Sequence, residues 1–382
     1  MDPVYLDNNA TTRIDDRVVD AMLPFLREQY GNASSLHQLG QYAAHHIDEA
    51  RAQVAALINA DAREIVFTSG GTEANNLAIR GVLAARPTKR HIVTTAVEHP
   101  SVLRLCAQLE REGIRVTYCP VDSLGRLDLD HLADAIDDDT ALVAAMHANN
   151  ETGVLWPIDQ IGAITRDRKV PLFVDAIQTV GKLPVDVTSF PADLLSIAAH
   201  KIHGPKGVGA LYIRRGTRLR PLIIGGHQQR DRRGGTEDTA GIVAFGTAAT
   251  LAVEHLDEES TRVVELRDRL ETELCNRIDI AAVIGDRDHR LPNTTNIAFA
   301  ALEAEALLLL CSENQICVSS GSACSSGSLE PSHVLTAMNI DPKQAHGAIR
   351  FSLSRYTTNE EIDRTLTALP ALIDRLAAVA PV

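Results

Sequence analysis

Ser196-Ile197-Ala198-Ala199-His200-Lys201-Ile202-His203-Gly204-Pro205-Lys206-Gly207 is an apolar run that passes into a lysine and then a glycine-proline turn. Consecutive apolar positions without polar alternation mark a strand covered on both faces, as in a parallel sheet packed between helices. Such a strand stops at the sheet edge, so Lys201 is delivered to the place where a cleft forms. Outward from it the pattern repeats. Ile65 to Thr68, His91 to Thr95, Val116 to Cys119, Leu142 to Met146, Pro171 to Asp175, Leu194 to Ala198 and Val208 to Ile213 read as strands. Gly71 to Leu83, Ser101 to Glu112, Leu129 to Ile136 and Ile158 to Arg168 have helical spacing between them. This βα alternation predicts an α/β fold, a large sheet sandwiched by helices. Asp238 to Ile278 reads as a long helical stretch with a break near His255 to Ser260. Beyond it, strands near Asn296 to Phe299, Ile316 to Ser319 and Ala348 to Ser352 and helices near Glu303 to Ser312, Pro331 to Met338 and Asn359 to Ala378 predict a second, smaller α/β domain.

Composition bounds the class. A chain of 382 residues with 45% hydrophobic content can bury one large core or two moderate ones. The longest apolar runs, such as Ala306 to Cys311, are too short to span a bilayer, and Met1 to Tyr5 carries an acid and a proline in place of a basic-then-apolar signal. A cytoplasmic protein with no membrane role is expected. The six cysteines, at 106, 119, 275, 311, 317 and 324, show no CxxC spacing, which fits free thiols in a reducing compartment. A net charge of −13 argues against broad nucleic-acid binding. One local exception is the arginine run at 214, 215, 218, 220, 230, 232 and 233, interrupted by a single acid, Asp231. It reads as a solvated face or as a docking or ligand-phosphate surface.

Three constellations carry chemistry. Thr68-Ser69-Gly70-Gly71-Thr72-Glu73 lies between a strand and a helix, where glycines admit an anion to the backbone and the helix presents unpaired N–H groups. A glycine-rich helix cap of no function reads the same way. Asp175, at the end of an apolar strand with Gln178 three residues later, can hold a protonated ring nitrogen while Gln178 bonds a neighbouring ring oxygen; an ordinary N-cap aspartate is the alternative. Lys201 can condense with an aldehyde, or else extend to solvent. His200 and His203, three apart on an extended segment, would face opposite sides, so no metal site is expected. Together, a phosphate clamp, a ring-nitrogen carboxylate and an aldehyde-binding lysine are the parts that pyridoxal phosphate requires. Separately, Ser319-Ser-Gly-Ser-Ala-Cys324-Ser-Ser-Gly327 is a small-residue loop around one thiol. Its glycines permit unusual backbone angles, and it reads as a mobile, exposed nucleophile or as a loop that merely contains a cysteine.

Ten stretches then carry a resemblance: Tyr5 to Thr12, Gly31 to Ser35, Thr68 to Glu73, Glu98-His99, His147 to Gly153, Asp175 to Gln178, His200-Lys201 through Gly209, Gly234 to Glu237, the Cys324 loop with Leu329 to Pro331, and Arg350 to Ser352. In this order the chain resembles the cysteine desulfurases of the NifS and IscS type, within the class V aminotransferase group of fold-type I pyridoxal phosphate enzymes. The resemblance implies a mainly parallel seven-stranded sheet in a large domain, residues 13–256, and a small domain of residues 1–12 and 257–382. Lys201 resembles the Schiff-base lysine, Asp175 the partner of the pyridine nitrogen, Gln178 the partner of the ring hydroxyl, and His99 the stacked imidazole that exchanges protons. Gly71, Thr72 and His200 resemble phosphate contacts, and Thr236 a contact made from the neighbouring subunit of a homodimer. Asn150 resembles the asparagine beside the ring and the substrate, and Arg350 the clamp for the carboxylate of L-cysteine. Cys324 resembles the thiol that takes the sulfur as a persulfide and delivers it to an acceptor protein, serving iron–sulfur cluster assembly, tRNA thiolation or DNA phosphorothioation. A departure is Ala198, where many relatives have a phosphate-binding serine. A selenocysteine lyase or another class V enzyme would use the same lysine and aspartate without Cys324, and a non-enzymatic scaffold would need neither.

Overall fold

The computed structural model describes residues 2–320 and 331–378. The chain opens with a short strand, β1 (Val4–Tyr5), and two helices, α1 (Asp16–Arg27) and α2 (Gln38–Ala56). No element was expected between residues 13 and 61. α1 nevertheless carries a helix start signal, since the Asp15 carboxylate accepts from Arg17 N. The central sheet follows, as β2 (Ile65–Thr68), β3 (His91–Thr95), β4 (Arg115–Cys119), β5 (Thr140–Met146), β6 (Leu172–Asp175), β7 (Leu194–Ala198) and β8 (Gly209–Ile213). Its order is β2-β8-β7-β6-β5-β3-β4, and β8 alone runs against its neighbours.

Every residue of β2, β3, β5, β6, β7 and β8 is buried because helices cover both faces. Leu142 and Ala144 of β5 point into one core with α3 (Gly71–Ala85) and α4 (Pro100–Arg111). Val143 and Ala145, displaced by one residue, point into the opposite core. That second core contains α2, α5 (Leu129–Ala135), α6 (Ile158–Asp167) and α7 (Thr239–Glu254). α7 is the most apolar helix and packs on α1 and α2. It ends at His255, and a short α8 (Leu256–Ser260) turns the chain into α9 (Arg262–Arg277), so the expected break is present. Among the described residues no single helix is long and apolar enough to cross a membrane.

The rest of the chain builds an antiparallel sheet from β9 (Ala281–Ile284), β10 (Thr294–Phe299) and, after α10 (Ala304–Glu313), β11 (Ile316–Cys317), α11 (His333–Ala337) and α12 (Pro342–Ala345), from β12 (Ala348–Ser352). The chain closes with α13 (Asn359–Ala377). A separate core joins Val4 and Leu6 to Leu266, Leu270, Ile297, Phe351 and Leu369, and β1 pairs in parallel with β11. The N-terminal segment is thereby held among residues more than 250 positions later in the chain.

The arginine run does not form one surface. Arg214 donates to the carbonyls of Val187, Phe190 and Ala192, Arg230 to those of Arg63 and Ile65, and Arg233 pairs with Glu73. These three are partly committed to internal partners, while Arg215, Arg218 and Arg220 are exposed.

Candidate active site

In a mainly parallel sheet, side chains that follow the strands converge on one edge. Here β2, β3, β5, β6 and β7 all end at that edge, and the segments after them line a cavity of about 270 Å³. Eight predicted site residues face it: Gly71, Thr72, His99, Asn150, Asp175, Gln178, His200 and Lys201. β7 stops at Ala198, and one tight turn, Ala199–Lys201, swings the lysine round. Lys201 Nζ donates to the Asn9 and Ala10 carbonyls at 2.6 and 2.8 Å. The segment is not extended as expected: His203 adopts a positive φ of 65°, and its Nδ1 donates to the Arg13 carbonyl at 2.9 Å. Among the described residues no three His, Cys, Asp or Glu side chains are grouped to hold a metal.

Asp175 is both N-cap-like and enclosed. Its Oδ1 accepts from Ile177 N at 3.1 Å and its Oδ2 from Asn75 Nδ2 at 2.8 Å. Asn75 Nδ2 also donates to Ser101 Oγ at 2.8 Å, and Ser101 Oγ lies 2.8 Å from His99 Nδ1. Since Ser101 N also donates to that nitrogen, Nδ1 is the acceptor and the imidazole N–H is at Nε2. Burial lowers the His99 pKa, helped by Lys201 and His333 and opposed by Asp175. Thus one polar chain runs from Asp175 through Asn75 and Ser101 to His99. Neither linker was expected. Asn75 had a readable signal: it follows Gly71 by one helical turn on the same face of α3.

Gln178 donates from Nε2 to Asn9 O at 3.0 Å and accepts at Oε1 from Lys182 Nζ, also at 3.0 Å. Lys182 therefore fixes which end of the amide faces which way. It is a third unexpected residue, buried, and its pKa is pushed down to about 8 by that burial, against the pull of Glu259. Asn9 binds all of them. Its backbone N–H donates to Ser352 Oγ, its side chain to Thr294 Oγ1 and the Asn150 carbonyl, and its Oδ1 accepts from Asn293.

At the other end of the cavity α3 begins. Gly70 has φ +142°, and a Cβ on Gly71 would sit 2.2 Å from Ile177 Cδ1, so a larger residue there must push the Ile177 side chain aside. Gly71 and Thr72 line this end of the cavity, where the first N–H groups of a helix and a hydroxyl have the chemistry to receive an anion. His200 is neutral there, pushed down to about 3 by burial and by Lys201. Ala198 contributes a methyl wall. Arg350 lies on β12 outside the cavity, buried, with Nη2 on Asp7 at 2.6 Å and Nη1 on the Asn150 carbonyl at 2.9 Å. Thr236 is exposed and outside the cavity, and Cys324 lies outside the described residues.

Residues 4–365 match the family model for class-V aminotransferases. The chain belongs to that family. Among class-V aminotransferase relatives, a protein of Nostoc sp. named cysteine desulfurase is 53% identical over 381 residues, covering all of this chain and 95% of its own. A protein of Azotobacter vinelandii named cysteine desulfurase NifS is 52% identical, with 100% and 95% covered. A solved structure titled NifS-like protein superposes with a TM-score of 0.92 at 40% identity, covering 98% of this chain and all of its own.

Proposed function

We propose that this chain is a cysteine desulfurase that takes sulfur from L-cysteine, releases L-alanine and passes the sulfur through Cys324 to an acceptor protein. The observation that carries the reading is one cavity holding Lys201, the enclosed Asp175 carboxylate and the α3 N-terminus. Those residues fit pyridoxal phosphate: a phosphate dianion on the cradle of Gly71 and Thr72, a ring nitrogen on Asp175, a ring hydroxyl on Gln178, an aldehyde on Lys201. When bound, that group supplies an electron sink for bonds at the substrate's carbon atoms. Asp175, held by Asn75 and Ile177 N, would hold a protonated ring nitrogen of that group. Lys201 moves protons at the substrate's α carbon, and His99, with its N–H at Nε2, is placed to give one. Asn150 lines the cavity where the substrate carboxylate would lie, and Arg350, one residue layer behind it, reaches that carboxylate only by exchanging its Asp7 pair for the substrate. The Cys324 thiolate attacks the substrate sulfur; the S–S bond forms as the C–S bond breaks, and that electron pair goes to the carbon skeleton, which takes up a proton.

The same reading makes the protein a cytoplasmic homodimer in which Thr236 serves the partner's phosphate site, with residues 13–256 as the large domain and 1–12 with 257–382 as the small one. The test uses purified protein with pyridoxal phosphate and L-cysteine. Alanine and a Cys324 persulfide should form in equal amounts, and Lys201→Ala should abolish both. Undiminished sulfur transfer by Cys324→Ala would refute the role of that thiol, and absence of alanine would refute the activity.

A further inference from the structure

The opposite edge of the sheet holds a second, larger cavity, of about 500 Å³, where β6 and β7 begin and β8 ends. Three segments distant in sequence bring six cations to it. Arg86 follows α3, Arg166 and Lys169 end α6, and Arg214, Arg215 and Arg218 follow β8. Arg214 braces the wall through the carbonyls of residues 187, 190 and 192. The lining contains one acid, Asp193, and its carboxylate accepts from Leu172 N at 2.9 Å. Among the described residues, the other five cations have no carboxylate within ion-pair distance, whereas Arg63, Arg115, Arg233 and Arg350 are each paired. On a chain of net charge −13, a concavity that gathers unneutralised cations repels itself until an anion enters.

We propose that this cavity binds a small polyphosphate. Arginine forks match phosphate oxygens in pairs, and cations arriving from three directions suit several phosphates on one short molecule. Thr217 adds a hydroxyl, while that of Thr188 is donated to Asp186, and Phe190 with Pro191 gives an apolar wall for an attached organic group. The volume lies in the range of small-molecule sites, and a concavity of this kind favours a compact ligand over an acidic polypeptide, which would lie along an open groove. The site shares no lining residue with the candidate active site, so it stands independently of the proposed activity.

The test is calorimetric titration of the full chain with sodium tripolyphosphate and, separately, with magnesium-free ATP. Binding should occur with both in 50 mM salt and weaken by about ten-fold in 200 mM salt, as expected of screened charge pairs. Tighter binding of ATP assigns the site to nucleotides, and equal binding assigns it to the phosphate chain alone. The double variant Arg166→Glu, Arg218→Glu should lose about 30-fold or more in affinity, because two forks become repulsive. Arg104→Glu, an exposed arginine elsewhere, should lose nothing. Circular dichroism checks that both variants fold. Three results would overturn the proposal: no binding of either compound below 1 mM, on the order of a nonspecific interaction; equal weakening by Arg104→Glu; or tighter binding of poly-glutamate than of tripolyphosphate.

Discussion

Asn75→Ala isolates the hydrogen bond that holds Asp175. The amide nitrogen sits 2.8 Å from a carboxylate oxygen in a fully buried position, and a hydrogen bond to a charged group contributes about 1.5–3 kcal/mol. If that orientation is needed in the rate-limiting step, the loss converts to a fall in kcat of about ten- to 150-fold. The fold should survive, because Asn75 Oδ1 is buried without a partner and its removal relieves an unsatisfied acceptor. Ser101→Ala cuts the same polar chain one link later, so it should disturb His99 and spare Asp175. The assay is alanine formation from L-cysteine at saturating pyridoxal phosphate, with urea unfolding as the control for structure. A kcat for Asn75→Ala within about two-fold of the parent would show that Asp175 needs no such support, and the reasoning would fail.

Buried bases make stability depend on pH. His147, His200 and His203 are pushed down to about 4, 3 and 3, all chiefly by burial, so the unfolded chain binds more protons below its ordinary histidine pKa. Stability should fall as pH drops from about 6.5 toward 4; urea midpoints of His203→Asn should fall less steeply, and an identical slope would count against the assignment. Lys182 has the same sign at higher pH: folded stability should rise from about pH 8 to 10, and Lys182→Met should remove that rise in the same experiment. Asp15→Asn breaks a buried pair with Arg355 at 3.0 Å and weakens the bond from Tyr356 Oη at 2.7 Å, so urea unfolding should report a loss of about 3–5 kcal/mol. Less than 1 kcal/mol, the order of an exposed pair, would contradict the burial argument. Gly71→Ala should displace Ile177 beside Asp175, lowering stability by about 1–3 kcal/mol and weakening pyridoxal phosphate binding in an absorbance titration; unchanged binding would remove the close-approach argument.

Much of the molecule was legible because local pattern and environment agree. The strands of the central sheet are apolar throughout since both faces are covered, and their ends place Asp175 and Lys201 together by topology alone. Helices α1 and α2 went unread, α1 containing Pro24 and α2 starting from His37, neither of which announces a helix. Asn75, Ser101, Lys182 and Asn9 escaped for another reason. For Asn75 and Asn9 the partners are far away, 100 residues from Asn75 to Asp175 and 173 from Asn9 to Lys182, while Ser101 and Lys182 act on near neighbours whose own orientation only the fold sets. The arginine run divides in the fold, with Arg214, Arg215 and Arg218 lining one cavity while Arg230 and Arg233 bond elsewhere. Arg350 was visible as a cation, and its pairing with Asp7 came from the third dimension.

Asn9 sets a schedule for synthesis. Its carbonyl receives both Lys201 Nζ and Gln178 Nε2, while its own N–H needs Ser352 Oγ. A ribosome emits Asn9 near the start, its first partner, Asn150, 141 residues later and its last, Ser352, 343 residues later. At about 5–20 residues per second, that interval is roughly 17–70 s. For that time the central sheet can form while the segment that receives the lysine has nowhere to dock. The segment that receives the lysine is therefore fully bonded only once Ser352 has been made, whatever the order in which the helices and strands appear.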